Sequence, residues 1–288
     1  MRIDAKYLWE ILIENEFERF EYILMNNNIN PMLLETLFLK ACKVKNATNV
    51  LEYFLESGYF EDVIDEIGVE YAMYYENIGA LNLLLNYPGI DFDKVSNDYI
   101  SDAGKDYEVS KVLIETCKLD LCNAYFVYNI SVNNYYDLVE EMLNCNKYGN
   151  ETFKSGGCFY AGFNMALKRA IKNGDVELIE IIMNSTKLEI YPKFLYNFLQ
   201  DSEKFDIEFI RGIIFDSRCI KFNESINVLD ATNDKRVLDI LLDIDDILLD
   251  YFKKVDFYEI SRELMEAIKR KFNLNSTNDV KIIYNISI

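Results

Sequence analysis

The chemistry open to this chain is limited first by a side chain it lacks, because none of its 288 residues is histidine. Histidine is the side chain whose ordinary pKa lies near neutrality, and it is the commonest zinc ligand. Its absence removes every Ser-His or Cys-His nucleophile pair and the usual zinc sites. The remaining thiols are Cys42, Cys117, Cys122, Cys145, Cys158 and Cys219. They show no CxxC spacing and most are well separated, so they read as free, small core or loop residues in a reducing compartment. Asp243, Asp245, Asp246 and Asp250 form an acidic cluster. It lacks the turn glycine and the final glutamate that an EF-hand loop needs, which argues against a calcium site. No phosphate-binding glycine loop stands out, and the scattered acidic pairs are those of any acidic helical surface. The expectation is therefore no enzyme, with no catalytic residue, no cofactor and no bound metal.

Charge narrows the partners. Acidic residues number 49 against 30 basic ones, a net charge of −19. Contacts to a phosphate backbone would have to form against that repelling field, so no nucleic-acid partner is expected, whereas a basic protein is attracted. The N-terminal stretch MRIDAKYLWEILIENE is too short and too acidic for a signal peptide or a membrane span. A soluble, cytoplasmic, monomeric protein with no membrane partner is the expectation.

The elements that must position any site are helical. Only 3 prolines and 11 glycines punctuate a chain that is 50% hydrophobic, too few for the turns of an all-β sandwich and enough apolar material for an all-α core. The clearest unit is 165–190, MALKRAIKNGDVELIEIIMNSTKLEI. Met165, Ala166, Ala170 and Ile171 share one side of a first helix. Asn173-Gly174 breaks it, since these residues tolerate the left-handed backbone of a tight reversal. Asp175 stands at the start of a second helix, whose apolar side is Val176, Leu178, Ile179, Ile182 and Met183.

That unit recurs. Apolar doublets at Ile23-Leu24, Phe54-Leu55, Leu84-Leu85, Leu113-Ile114, Met142-Leu143, Ile182-Met183, Ile213-Ile214 and Leu241-Leu242 follow one another at about thirty residues, the period of a solenoid of small repeats. The corresponding first-helix core position holds Leu8, Leu39, Val69, Asp98, Val127, Leu167, Phe198 and Ile226. At the place of Gly174 stand Asn15, Asn46, Glu76, Lys105, Asn134, Phe205 and Asn233. Alternating pairs follow most second helices, Ile90 with Phe92, Leu119 with Leu121, Leu188 with Ile190 and Ile220 with Phe222, and predict short extended connectors. One interval is longer by about ten residues, which predicts a surface insertion over 146–159.

The run from Gly174 to Met183 resembles the second helix of ankyrin repeats, G-H-x-x-h-V-x-x-L-L, with Asp175 in place of the histidine. Ala170 lies where that family keeps a small residue, and Met165-Ala166-Leu167-Lys168 replaces its T-P-L-H. The composition is similar to that of divergent ankyrin arrays of large DNA viruses and AT-rich protists. The resemblance implies an all-α solenoid of about eight ankyrin-like repeats over 1–242, followed by a C-terminal capping helix and tail over 243–288. The cap is expected over 258–272, and 280–288 is rich in β-branched residues that could pair as an edge strand, dock as a strand-like arm or fray.

Such arrays present an extended surface, so the expected function is a protein-binding scaffold or adaptor, for a host protein in the host cytoplasm if the source is viral. The competing expectation is an acidic mimic of nucleic acid that occupies a DNA- or RNA-binding protein. It would need carboxylates in a continuous stripe, whereas a scaffold can disperse them. Expected exposure makes Tyr148 and Phe153 in the insertion, and Asp243, Asp245 and Asp246 beyond the eighth unit, the candidate contact residues.

Overall fold

A computed structural model of the chain describes residues 4–58, 60–191, 193–216, 228–244, 251–253, 255 and 257–287. Among these residues there are α- and 3-10 helices and no strand. By contact the chain divides into two compact units, Met1–Thr152 with Gly156–Phe163, and Phe153–Ser155 with Asn164–Ile288.

In the first unit the helices come in pairs: α1 (Ala5–Ile13) with α2 (Phe17–Asn26), α3 (Pro31–Lys43) with α4 (Thr48–Glu56), α5 (Glu66–Tyr74) with α6 (Ile78–Asn86), α7 (Asn97–Ala103) with α8 (Tyr107–Thr116), and α9 (Ala124–Val132) with α10 (Tyr136–Asn144). The first helices pack in tandem, α1 on α3, α3 on α5, α5 on α7 and α7 on α9. The second helices form a row of their own, α4 on α6, α6 on α8 and α8 on α10. Helices of nine or ten residues are too short to hold alone in water, so their stability comes from these faces. Leu8, Val69 and Val127 are fully buried from the first row, and Phe54, Leu84, Leu113 and Met142 from the second. Leu39 departs from expectation. It is only half-buried, because Leu37, Phe38, Ala41 and Cys42 carry the core face of α3. Asp98 is exposed in the first turn of α7, and Ile226 lies outside the described residues.

Side chains tie each pair to the next at the period of the sequence. Asn77 Nδ2 donates to Cys42 O at 2.8 Å, Asn123 Nδ2 to Asn97 O at 3.0 Å, Asn129 Nδ2 to Ser101 O at 2.9 Å, and Tyr135 Oη to Lys105 O at 2.8 Å. Each bridges one helix pair to its neighbour in sequence. The turn within a pair is repeated just as closely. Asn15, Glu76 and Asn134 have φ of 60°, 52° and 62°. In each, two successive amides reach back to the first helix: Asn15 N to Leu12 O with Glu16 N to Ile11 O, Glu76 N to Met73 O with Asn77 N to Ala72 O, and Asn134 N to Ser131 O with Tyr135 N to Ile130 O. This double closure satisfies carbonyls that a helix end would otherwise leave open.

The second unit takes in the rest of α11 (Cys158–Asn173), whose first six residues belong to the first unit, then α12 (Val176–Asn184), α13 (Phe194–Gln200), α14 (Ile207–Ile214), and the helices Lys235–Leu241, Arg262–Lys271 and Thr277–Ser287. Gly174 has φ 72° and closes the same double turn, with its own amide on Ile171 O and that of Asp175 on Ala170 O. Asp175 caps α12 by accepting from Leu178 N at 3.1 Å. Helix α14 packs on Lys235–Leu241, which packs on Arg262–Lys271, which packs on Thr277–Ser287.

Three expectations are corrected here. Most residues of 146–159 are exposed, but Phe153, expected on the surface, is buried at 0% exposure together with Phe159, and the segment holds a 3-10 turn, Asn150–Phe153, before ending inside α11. The tail, expected as an edge strand, a strand-like arm or a frayed end, instead belongs through residue 287 to the helix Thr277–Ser287. Ser276 and Asp279 cap it reciprocally, Ser276 N donating to Asp279 Oδ2 at 2.9 Å and Asp279 N to Ser276 Oγ at 3.2 Å, and Val280 is fully buried. Local capping and burial outweigh the weak strand preference of β-branched residues. Among the connectors, Leu119, Leu121, Leu188 and Ile190 tuck inward as expected, but Phe92 starts a 3-10 turn, Phe92–Lys94, and is only half-buried; 220 and 222 lie outside the described residues.

Candidate functional site

The candidate contact residues fall in different settings. Phe153 is buried, its carbonyl accepting from Glu189 N at 3.0 Å, and Lys187 Nζ lies 5.8 Å from its ring centre. Tyr148 is half-buried, edge-on to Phe159 at 4.7 Å, with its hydroxyl accepting from Leu121 N at 3.1 Å. Burial pushes its phenol up to about 12. Asp243 is exposed and paired with Lys271, beside an Arg270–Asp239 pair at 3.0 Å. Asp245 and Asp246 lie outside the described residues.

The cysteines need a correction too. Cys122 and Cys158 form a disulfide, with Cα atoms 5.5 Å apart, where all six thiols were expected free. Their 36-residue separation hides the pairing, because the path between them runs out through α9 and α10 and back. Cys42 is buried and burial holds its thiol far above the ordinary range, so it is inert. Among the described residues no three His, Cys, Asp or Glu side chains are grouped to hold a metal ion, and no helix is long and apolar enough to cross a membrane.

A more concentrated surface lies where the hairpin ends of α5/α6 and α7/α8 meet. The cleft there, about 230 Å³, is lined by Met73, Tyr74 and Glu76 from one side and by Tyr99, Asp102, Ala103, Lys105 and Asp106 from the other. Its floor is fixed by sequence. Met73 and Ala103 are core residues of adjoining first helices, and Glu76 and Lys105 occupy the two turns. Tyr74 is the last residue of α5, one position beyond its buried face, and is 63% exposed.

Aromatic contacts extend from the cleft in an unbroken series. Tyr71 lies 5.8 Å from Tyr75, Tyr75 lies 5.0 Å from Tyr74, and Tyr74 lies 6.2 Å from Tyr99, the last two pairs edge-to-face. Lys43 Nζ sits 4.3 Å over the Tyr75 ring, so the surface already holds one ammonium group on an aromatic face. Burial, and then the Glu70 carboxylate, push the Tyr99 phenol upward, which keeps it neutral and able to donate. The carboxylates have partners of their own, Asp106 accepting from Val109 N at 2.9 Å as the cap of α8. Glu76 meets Lys45 at 3.6 Å and Asp102 meets Lys105, both on the surface. Pairs so exposed contribute about 0 to 1 kcal/mol and exchange readily for a better-placed cation.

The same place in the repeat forms clefts in the second unit. One is lined by Lys168, Ile171, Lys172, Asn197, Gln200, Asp201 and Lys204, and another by Gln200, Ser202, Glu203, Asp230, Thr232, Asn233 and Arg236. A cleft between neighbouring hairpin ends is thus a product of stacking, and the side chains in it differ from pair to pair. The one at Tyr74 and Tyr99 combines two tyrosine rings with a mainly acidic rim. Sequence reasoning missed it by weighing the insertion above the best-formed repeats. The available signal was YAMYYENIG, three tyrosines at positions the core pattern does not use, directly before a turn.

No protein-family model matches this chain, and no curated protein or solved structure matches it either.

Proposed function

We propose that this chain is a binding scaffold built of ankyrin-like helix pairs, and that its cleft at Tyr74 and Tyr99 takes a basic segment of a partner protein. The observation that carries the reading is the cleft itself: two phenol rings in edge-to-face contact, bordered by Glu76, Asp102 and Asp106. A guanidinium lying on such rings gains cation–π attraction while its N–H groups meet carboxylates. The net charge of −19 adds long-range attraction for basic partners. The nucleic-acid mimic is the weaker reading. A mimic needs an unbroken carboxylate stripe, and in this cleft the acids alternate with tyrosines and Lys105, while Lys45 pairs with Glu76.

A fluorescent oligo-arginine peptide titrated into the full chain tests it. Binding is expected to weaken with salt, and Tyr74→Ala with Tyr99→Ala is expected to weaken it about tenfold, the equivalent of about 1.4 kcal/mol. Binding that responds to salt but is untouched by loss of both rings would overturn the cleft and favour the diffuse acidic mimic.

A further inference from the structure

Cys117 and Cys145 occupy the same place in neighbouring helix pairs. Cys117 ends α8, Cys145 ends α10, and the two helices pack on each other. Cys117 has a left-handed backbone, φ 52°, and its Sγ approaches Ile114 O at 2.9 Å. The Cys145 side chain is near enough to this thiol to push it upward. Lys147, two residues past Cys145, donates from Nζ to Cys117 O at 2.5 Å and to Leu119 O at 2.9 Å, which ties the chain segments that carry the two cysteines together. Both cysteines are half-buried, so a small reagent reaches them.

We propose that Cys117 and Cys145 are a modification site at which exchange with a low-molecular-weight disulfide forms an intramolecular disulfide, a second cross-link beside Cys122–Cys158. One thiol gives its proton to solvent, and its thiolate attacks the reagent, forming a mixed disulfide and releasing one small thiolate. The other cysteine, deprotonated in turn, attacks the protein sulfur of that mixed disulfide and releases the second. Both cysteine sulfurs are oxidised, the reagent is reduced to two thiols, and those thiols take up the two protons. Burial pushes the Cys117 thiol up while the Lys147 ammonium opposes the rise. The first attack is therefore slow at neutral pH and quickens as pH climbs into and beyond the ordinary thiol range. The product would join the ends of α8 and α10, fixing the α7/α8 pair, whose hairpin end borders the tyrosine cleft, to the α9/α10 pair.

The folded full chain incubated with oxidised glutathione, quenched in acid, alkylated and digested reads the outcome by mass spectrometry. The expected products are a peptide pair joined through Cys117 and Cys145, an unchanged Cys122–Cys158 link, and Cys42 alkylated only after unfolding. Cys145→Ser is expected to stop at a glutathione adduct on Cys117. Lasting glutathione adducts on the unsubstituted chain without the cross-link, or no reaction at either residue, would overturn the proposal, and neither outcome depends on the variant folding.

Discussion

A tyrosine whose phenol loses its proton late reports on the packing around it, and Tyr148 does so for a segment that the sequence marks as an insertion. Its ordinary pKa is about 10, and burial raises it to about 12. The fold thus favours the neutral phenol. The resulting stability is fully present below about pH 10 and is lost as pH rises through about 12. Urea midpoints measured across that window are expected to fall, and Tyr148→Phe is expected to flatten the fall while costing about 1 to 3 kcal/mol at neutral pH, because Leu121 N loses its acceptor. Phe153→Ala, at a fully buried ring, is expected to cost about 3 to 5 kcal/mol by equilibrium denaturation. A cost near zero would return the segment to the solvent. These burials were not legible because Gly149, Gly156 and Gly157 signal a loop equally well whether its aromatic residues point out or fold under.

Among the elements, helix pairs and their turns were the legible part, and their reasons are local. Of the turn residues expected in the left-handed region, Asn46 and Asn233 do not adopt it, whereas Asn15, Asn134 and Gly174 do. Glu76 does so as well with no side-chain advantage, held by the closure from Asn77 N to Ala72 O at 2.8 Å and by the Asn77 side chain bonded to the preceding pair. At Lys105 the chain turns without it, through Lys105 N to Asp102 O and Asp106 N to Ala103 O. A methyl group at Gly174 would meet only Lys204 Cβ, at an ordinary 3.5 Å, so the cost of Gly174→Ala is backbone strain alone. It is expected to be about 1 to 2 kcal/mol, and a calorimetric scan showing no loss would contradict the turn geometry. Gly162 differs, because a Cβ there would lie 2.6 Å from Ala124 O, a helix-to-helix approach that no local pattern reveals. The C-terminal helix was legible only through Ser276 and Asp279, a capping pair placed before residues whose β-branching points the other way.

For the whole molecule the repeat spacing predicts tandem packing, and within each unit neighbours in sequence are neighbours in contact. The Cys122–Cys158 link was illegible because pairing depends on how far two turns approach in space, not on their spacing along the chain. Units that touch only their neighbours lose stability locally, since few contacts pass around a damaged pair. Ile182 is fully buried on α12, and Ile182→Ala is expected to cost about 2 to 5 kcal/mol. Amide hydrogen exchange on that variant is the most direct test of the tandem architecture. The result expected is acceleration concentrated in α11 to α14, with little change around Leu8 and Val50. Equal acceleration from α1 to the helix Thr277–Ser287 would mean one cooperative core with long-range contacts, and would contradict it.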